Sequence, residues 1–309
     1  AADVPLTIPD DPCRVLLSAT GLVARTAGAE PVGRTGGRRA HDALRSQVAT
    51  TARGQVGAIT TAGRLVRLDV VAAPEVERAQ EAPSLAAGTP VGLLVEVEPG
   101  EQVVGLVPIG RVGADPIVLV TRRGVVKRVK VGDEPKGTDA WDVISLSDGD
   151  QVVLAATAAD GDNVVVVTSD AQLLRFDAAK VRPQGRAAGG MAGISLRDGA
   201  RVVAAAAVSA ELVAEAVVVT VAGSRGALPG TGGSVKVTPL DRYPAKGRAT
   251  GGVRAQRFLR GEDELVLAWV GVGPARAVGP EGRHVDLPDV DERRDASGTP
   301  STTPIAAIG

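Results

Sequence analysis

Gly247-Arg248-Ala249-Thr250-Gly251-Gly252 is the stretch from which the architecture can be read. Gly185-Arg186-Ala187-Ala188-Gly189-Gly190 repeats it almost letter for letter, and Gly33-Arg34-Thr35-Gly36-Gly37-Arg38 is a third version. Each begins with Gly-Arg and continues through small residues. After the two later copies come an apolar run, an acidic turn and a second apolar run: Ile194 to Gly199 with Val202-Val203, and Phe258 to Asp263 with Leu265-Val266. A motif that recurs along a chain sets the architecture before any single element does.

Working outward, a second marker accompanies the first. It is an apolar strand, a Ser or Thr, two turn residues, a Gly, then two apolar residues and a base. Copies run from Ser18 through Gly21 to Arg25, Thr60 through Gly63 to Arg67, and Thr121 through Gly124 to Arg128; from Thr168 to Arg175 the glycine is replaced by Ala171. A fifth copy starts at Thr220, carries an insertion from Ala222 to Gly232, and resumes at Gly233-Ser234-Val235-Lys236; a sixth is Gly279-Pro280-Glu281-Gly282. The pattern predicts β-hairpins, because Gly supplies the positive φ of a short loop and Ser or Thr can hydrogen-bond the turn backbone. The flanks, such as Ile117 to Val120 and Val125 to Val131, are β-branched, as strands prefer. In the second copy the Gly marker is delayed to Gly88-Thr89 by an acidic segment, Pro74 to Ala87, read as a surface loop or short helix; in the third it is Gly137-Thr138-Asp139.

Each unit therefore reads hairpin, loop, Gly marker, strand, acidic turn, strand. About four strands per unit is the period of propeller blades, and closing such units into a ring removes exposed sheet edges. The sequence predicts an all-β ring of six blades over 1–288, with five full units and a sixth that stops after its hairpin. Alternating Val4, Leu6 and Ile8 are expected to complete that last blade. Residues 289–309, acidic and then Ser/Thr/Pro-rich, are expected to form a mobile tail. An open solenoid or two sandwiches are the alternatives.

The composition narrows the function. Aromatic content is 2%, which disfavours single-strand binding by base stacking. Cys13 is the single cysteine, and His41 and His284 are far apart, so neither a disulfide nor a zinc site is expected. No window resembles a signal peptide or a bilayer span, which makes a cytoplasmic protein the expectation. Of the 35 basic residues, 29 are Arg, and the net charge is -1. That charge is unevenly spread. Seven bases face one acid, Asp42, between Gly33 and Arg67; six stand between Arg122 and Lys136; seven face Asp241 between Lys236 and Arg260. If the units stack as blades, these bases form a band in register around a rim. Arg and Lys at repeated spacing beside Gly loops suit a phosphate backbone. With no recognition helix evident, the partner expected is duplex DNA bound by backbone and shape, and bent, without base readout. A protein-interaction scaffold and an enzyme working in the central channel are the alternatives from other classes. No nucleophile–base pair, phosphate-cradling loop or metal-ligand cluster stands out to support the enzyme.

At this point the chain resembles the C-terminal domain of the A subunit of bacterial type IIA topoisomerases, gyrase and topoisomerase IV. The Gly124-Val125-Val126-Lys127-Arg128 hairpin and the Gly-rich loops at 185 and 247 carry the likeness, which extends over essentially the whole chain. The resemblance implies a six-bladed β-pinwheel that exchanges a strand between neighbouring blades. It also implies a non-catalytic role: binding duplex DNA on a basic rim and bending or wrapping it for the cleavage core of the parent enzyme. Partners would be the remainder of that A subunit, together with the ATPase B subunit. ATP and Mg would belong to those other parts, no cofactor to this one, and the location would be cytoplasmic and nucleoid-associated. Gyrase carries a first-blade box, Gln-Arg-Arg-Gly-Gly-Lys-Gly. Here Arg34, Gly36 and Gly37 match it, Arg38 replaces Lys, and Gly33, Thr35 and Arg39 depart. A degenerate box is more like topoisomerase IV, with gyrase the runner-up. The candidate DNA contacts are Gly33, Arg34, Gly36, Gly37, Arg38, Arg39, Arg67, Arg122, Arg123, Lys127, Arg128, Lys130, Arg175, Arg186, Lys236, Lys246, Arg248, Arg254 and Arg257. Tyr243, the single tyrosine, is expected to be structural.

Overall fold

The repeated Ser/Thr-x-x-Gly turn does what its chemistry predicts. Ser18 Oγ accepts from the Leu22 amide, Thr121 Oγ1 from Val125 and Thr168 Oγ1 from Gln172, at 2.9–3.2 Å. Gly21, Gly63 and Gly124 take φ of +88°, +77° and +81°, the left-handed region that Gly enters without strain. Ala171 tolerates +57° at the fourth turn. The computed structural model, which describes residues 8–77, 81–110, 113–132, 134–226 and 233–309, contains six such hairpins. They pair as Pro12–Ser18 with Leu22–Ala27, Gln55–Thr60 with Arg64–Asp69, Ile117–Thr121 with Val125–Val129, Asn163–Thr168 with Gln172–Asp177, Ala216–Gly223 with Gly233–Pro239, and Ala277–Val278 with His284–Val285.

Each hairpin gains an inner strand from its own unit: Leu44–Thr51, Val103–Pro108, Val152–Thr157, Val202–Val208, Glu264–Val272 and Ala307–Ile308. The six inner strands line a central channel of about 870 Å³. On the outer edge the rule changes, because the fourth strand is lent by the next unit. Thr89–Pro90, with the parallel Glu75–Val76, edges blade 1; Ala140–Asp142 edges blade 2; Met191–Ala192 blade 3; Val253–Arg254 blade 4; Thr299–Ser301 blade 5. The ring is therefore all-β, six-bladed and strand-exchanged, as expected.

One expectation about the ends is corrected. Residues 289–309 are not a separate tail: Thr299–Ser301 edges blade 5 and Ala307–Ile308 is the inner strand of blade 6. The signal was Gly298-Thr299, the same dipeptide as Gly88-Thr89 and Gly137-Thr138, obscured by the acidic run before it. Pro300 is tolerated there because an outermost strand needs no donor on its free side. Of the three residues expected to complete the last blade, Ile8 alone is described. Val4 and Leu6 lie outside the described residues, and Ile8 is in no strand and 46% exposed.

Apolar side chains gather mainly between successive blades, although Leu16, Ala24, Val32, Val76 and Leu85 form a cluster of blade 1 with its own loop and edge. Blades 4 and 5 share the largest cluster, including Val165, Leu173, Val218, Leu240, Tyr243 and Leu265; similar clusters join blades 1 to 2, 2 to 3, 3 to 4 and 5 to 6. Between blades 6 and 1 the described residues offer a cluster of four, Ala19, Ala43, Val278 and Ala307.

Candidate nucleic-acid interface

The Gly-Arg loops lead into the lent edge strands, so they sit on the outer rim. They are joined in series by backbone hydrogen bonds. The Ser145 amide, beyond the edge of blade 2, donates to Ala188 O in the blade 3 loop. Ala249 and Ser195 exchange bonds with Gly193 and Thr250 between the edges of blades 3 and 4, at 2.7 and 3.0 Å. Arg257 N donates to Ala296 O, linking blades 4 and 5, and Ala82 N to Thr35 O on the far side. A track of linked loops thus runs along the rim from blade 2 to blade 5.

Charge on the track is not uniform. Residues 182–192 and 243–257 edge blades 3 and 4; they hold Arg182, Arg186, Lys246, Arg248, Arg254 and Arg257 and no acid. All but Arg248 are exposed. The edge of blade 1 brings Glu75, Glu77 and Glu81, and that of blade 5 brings Asp289, Asp291, Glu292 and Asp295 against Arg293 and Arg294. The band expected around the whole rim is thus concentrated on two adjacent edges. Arg248 is half-buried, its Nη1 donating to Ala192 O on the neighbouring edge.

The first-blade box lies elsewhere. Its loop, 33–43, takes the outer position beside blade 6 and fastens the ring. Asp42 is 1% exposed. It receives Arg38 Nε at 2.9 Å and Nη2 at 3.1 Å, the Arg39 amide at 3.0 Å, and Arg276 Nη1 at 2.5 Å. Burial alone would raise its carboxyl, but these donors outweigh burial and leave the pKa below the ordinary carboxylate value. Arg276 also donates to Arg34 O and Gly36 O, Arg38 to Ala277 O and Val285 O, and the His41 amide to Gly282 O. Gly36 has φ +98°. Gly33 is half-buried and Gly37 exposed on this loop. Arg34 is exposed, with Nη1 on Val272 O at 2.9 Å, and Arg39 lies 3.6 Å from Glu81.

Three candidates are corrected outright. Lys127, Arg128 and Lys236 are at most 2% exposed and cannot touch a partner on the rim. Arg128 donates to Ala158 O, Ala178 O and Val181 O and pairs with Asp160 at 2.7 Å. Arg67, at the equivalent strand position, is half-buried; it donates to Thr138 O and Pro135 O and lies 4.9 Å over the Trp141 ring. Arg25, absent from the candidate contacts, does the same on blade 1 with Ala73 O and Glu75. The base after the hairpin turn is thus a tie for the incoming chain. Arg175 occupies the fourth such position, half-buried, with Nε and Nη1 unpartnered among the described residues. Arg122 and Arg123 are exposed on the blade 3 turn, where Arg122 lines the central channel, and Lys130 is exposed at the hairpin's other end. The buried hairpin bases Lys127, Arg128 and Lys236 therefore do not join the rim track. Tyr243 is fully buried, as expected for a structural residue.

Among the described residues no group of three His, Cys, Asp or Glu is placed to hold a metal, and no helix is long and apolar enough to cross a membrane. The family model for the DNA gyrase C-terminal domain, β-propeller, matches residues 115–133, 162–209 and 230–268. The chain is 31% identical over 296 residues to the A subunit of DNA gyrase from a Nocardioides species, covering 85% of this chain and 31% of that protein. It is also 31% identical over 215 residues to the Mycobacterium tuberculosis gyrase A protein, covering 68% and 24%. The chain thus spans a third or less of these curated relatives. Among solved structures, the C-terminal domain of DNA topoisomerase IV superposes with a TM-score of 0.72 at 17% identity over 98% of this chain and 94% of that one. The gyrase A C-terminal domain gives 0.61 at 14% over 96% and 99%. With six strand-exchanged blades and this agreement of sequence and fold, the chain belongs to the family of C-terminal β-propeller domains of type IIA topoisomerase A subunits.

Proposed function

We propose that this chain binds duplex DNA through the edges of blades 3 and 4 and bends it, as the non-catalytic C-terminal part of a type II topoisomerase A subunit. The observation that carries the reading is the six bases without an acid on two touching rim segments. Phosphates need clustered cations they can reach, and affinity then comes from counterion release rather than base contacts. The rest of the A subunit, with its B subunit, would supply the cleavage and ATPase chemistry.

A short basic arc, flanked by the acidic edge of blade 5 and by that of blade 2 with Glu134, Asp139 and Asp142 against Lys136, favours a bend over a full wrap. The box arginines point the same way, because Arg38 is held by the seam and Arg34 and Arg39 are partly engaged there. Both features support a topoisomerase IV-like mode over a gyrase-like one. Six phosphate contacts predict that affinity for a short linear duplex falls about 10³-fold between 50 and 200 mM salt. Fluorescence anisotropy across that range tests it, and salt-independent binding refutes it. Ligation of nicked circles in the presence of the domain separates the modes: an unchanged linking number is expected for bending, a shifted one for chiral wrapping.

A further inference from the structure

Lys127 and Lys236 stand at the same place in their hairpins, three residues after Gly124 and Gly233. Their side chains end in matching cages of backbone carbonyls. Lys127 Nζ donates to Val143 O at 2.8 Å, Arg186 O at 2.8 Å and Ala188 O at 2.7 Å. An ammonium has three N–H groups, and all three are used. Lys236 Nζ donates to Ala255 O at 2.6 Å and to Arg294 O. In each cage one carbonyl comes from the segment leaving the preceding blade's edge and another from the loop entering its own blade's edge.

The fold does not require lysine there. The other four blades carry Ala24, Val66, Leu174 and Val285 at this position, and all are buried. Burying an ammonium is costly, and burial brings both lysines down to about 8. What the two lysines share is what they hold. Arg186 carries its own carbonyl on Lys127 while its side chain is exposed on the blade 3 edge. Ala255, held by Lys236, lies between the exposed Arg254 and Arg257 on the blade 4 edge. The two buried lysines therefore grip the backbone beside three of the bases in the proposed arc.

We propose that Lys127 and Lys236 are positioning residues for DNA binding, each fixing the backbone from which arc arginines project without touching DNA itself. The proposal rests on the reading of the arc as a duplex-binding surface. Preorganisation of this kind lowers the ordering cost of binding.

The test compares the 309-residue chain with its Lys127→Met and Lys236→Met variants, using a short linear duplex at about 50 mM salt. Each variant should stay folded by circular dichroism and lose about tenfold in affinity, the scale of one or two phosphate contacts. Amide exchange should rise at 186–190 in the first and 255–257 in the second. The decisive readout is coupling. Arg186→Ala should cost much less in the Lys127→Met background than in the parent chain, whereas Arg254→Ala should cost the same in both. Should Met unfold the blade, Lys127→Leu, which copies Leu174, serves instead. Full additivity of Lys127 and Arg186, or unchanged affinity with loosened loops, overturns the positioning role. Failure of the unsubstituted chain to bind duplex would overturn the arc itself, and is distinguishable because it needs no variant.

Discussion

The loop at 33–43 and the loops at 185–190 and 247–252 begin with the same Gly-Arg pair and occupy equivalent places in their units. Yet Arg38 of the first is drawn into the ring, while Arg186 of the second and the bases that follow the third face outward. Arg248 itself is half-buried on Ala192 O. At the seam between blades 6 and 1, Arg38 converges with Arg276 on a buried Asp42. On the edges of blades 3 and 4, Arg186, Arg254 and Arg257 are exposed, with no ion pair among the described residues. The seam is also the apolar-poor junction, with Ala19, Ala43, Val278 and Ala307 where blades 4 and 5 share Leu173, Leu240, Tyr243 and Leu265. A junction that shares little hydrocarbon across its two blades leans on charge and hydrogen bonds, and that draws Arg38 inward. The neighbours of a motif decide whether it binds a partner or its own ring.

The largest effect that could break this comparison is at the seam. Replacing Arg276 by Met leaves Asp42 buried with part of its charge uncompensated, and should cost about 3–5 kcal/mol of stability. Thermal unfolding reads that loss, and DNA affinity measured well below the transition should be unchanged. A stable variant with weakened binding would mean the seam loop is part of the interface. Next comes the arc. Replacing Lys246, Arg254 and Arg257 together by Ala should reduce the slope of log K against log salt by about 0.9 per lost contact, with stability within about 0.5 kcal/mol of the parent. Replacing Arg34 and Arg39 should change the slope less; an equal change would make the two loop classes alike.

The smallest effects are in pH. Asp42 has its folded pKa depressed, so its contribution to stability is present above the ordinary carboxylate value and lost as pH falls through the folded one. Acid titration of the parent against Asp42→Asn should show a shallower loss below about pH 4 in the variant. For Lys127 and Lys236 the slope has the same sign in a more alkaline window. The folded values, about 8, lie below the free-lysine 10.5, so the unfolded chain binds more protons between them and stability rises with pH. The usable window closes near pH 10, where Tyr243, pushed up to about 12 by burial, begins to oppose it. Lys127→Met should flatten the rise between about pH 8 and 10 in denaturant titrations.

The blades were legible because turn chemistry is local: Ser18, Thr121 and Thr168 with their following turns announce hairpins without help from the rest of the chain. The destination of a strand's charged residues is not local. Lys127 and Arg128 are adjacent and face opposite sides of their sheet, yet both are buried, because a central strand between two neighbouring blades is covered on both faces. The unbroken apolar runs Ile117 to Val120 and Val125-Val126 carried that information, since a strand with one wet face would alternate. The seam was hidden for a different reason. Asp42 and Arg276 are 234 residues apart, and nothing near either one names the other. The closing strand was hidden by composition, with Gly298-Thr299 following an acidic run.

Lending the edge strand has a mechanical consequence. A loop that carries arc arginines belongs covalently to one blade while its strand is zipped onto the blade before it, as Val253–Arg254 is onto Gln172–Asp177. Tension from a bent duplex on such a loop is shared at once between two modules and passed along the track to the next, so stiff DNA would pull against the whole wheel and not against a single hinge.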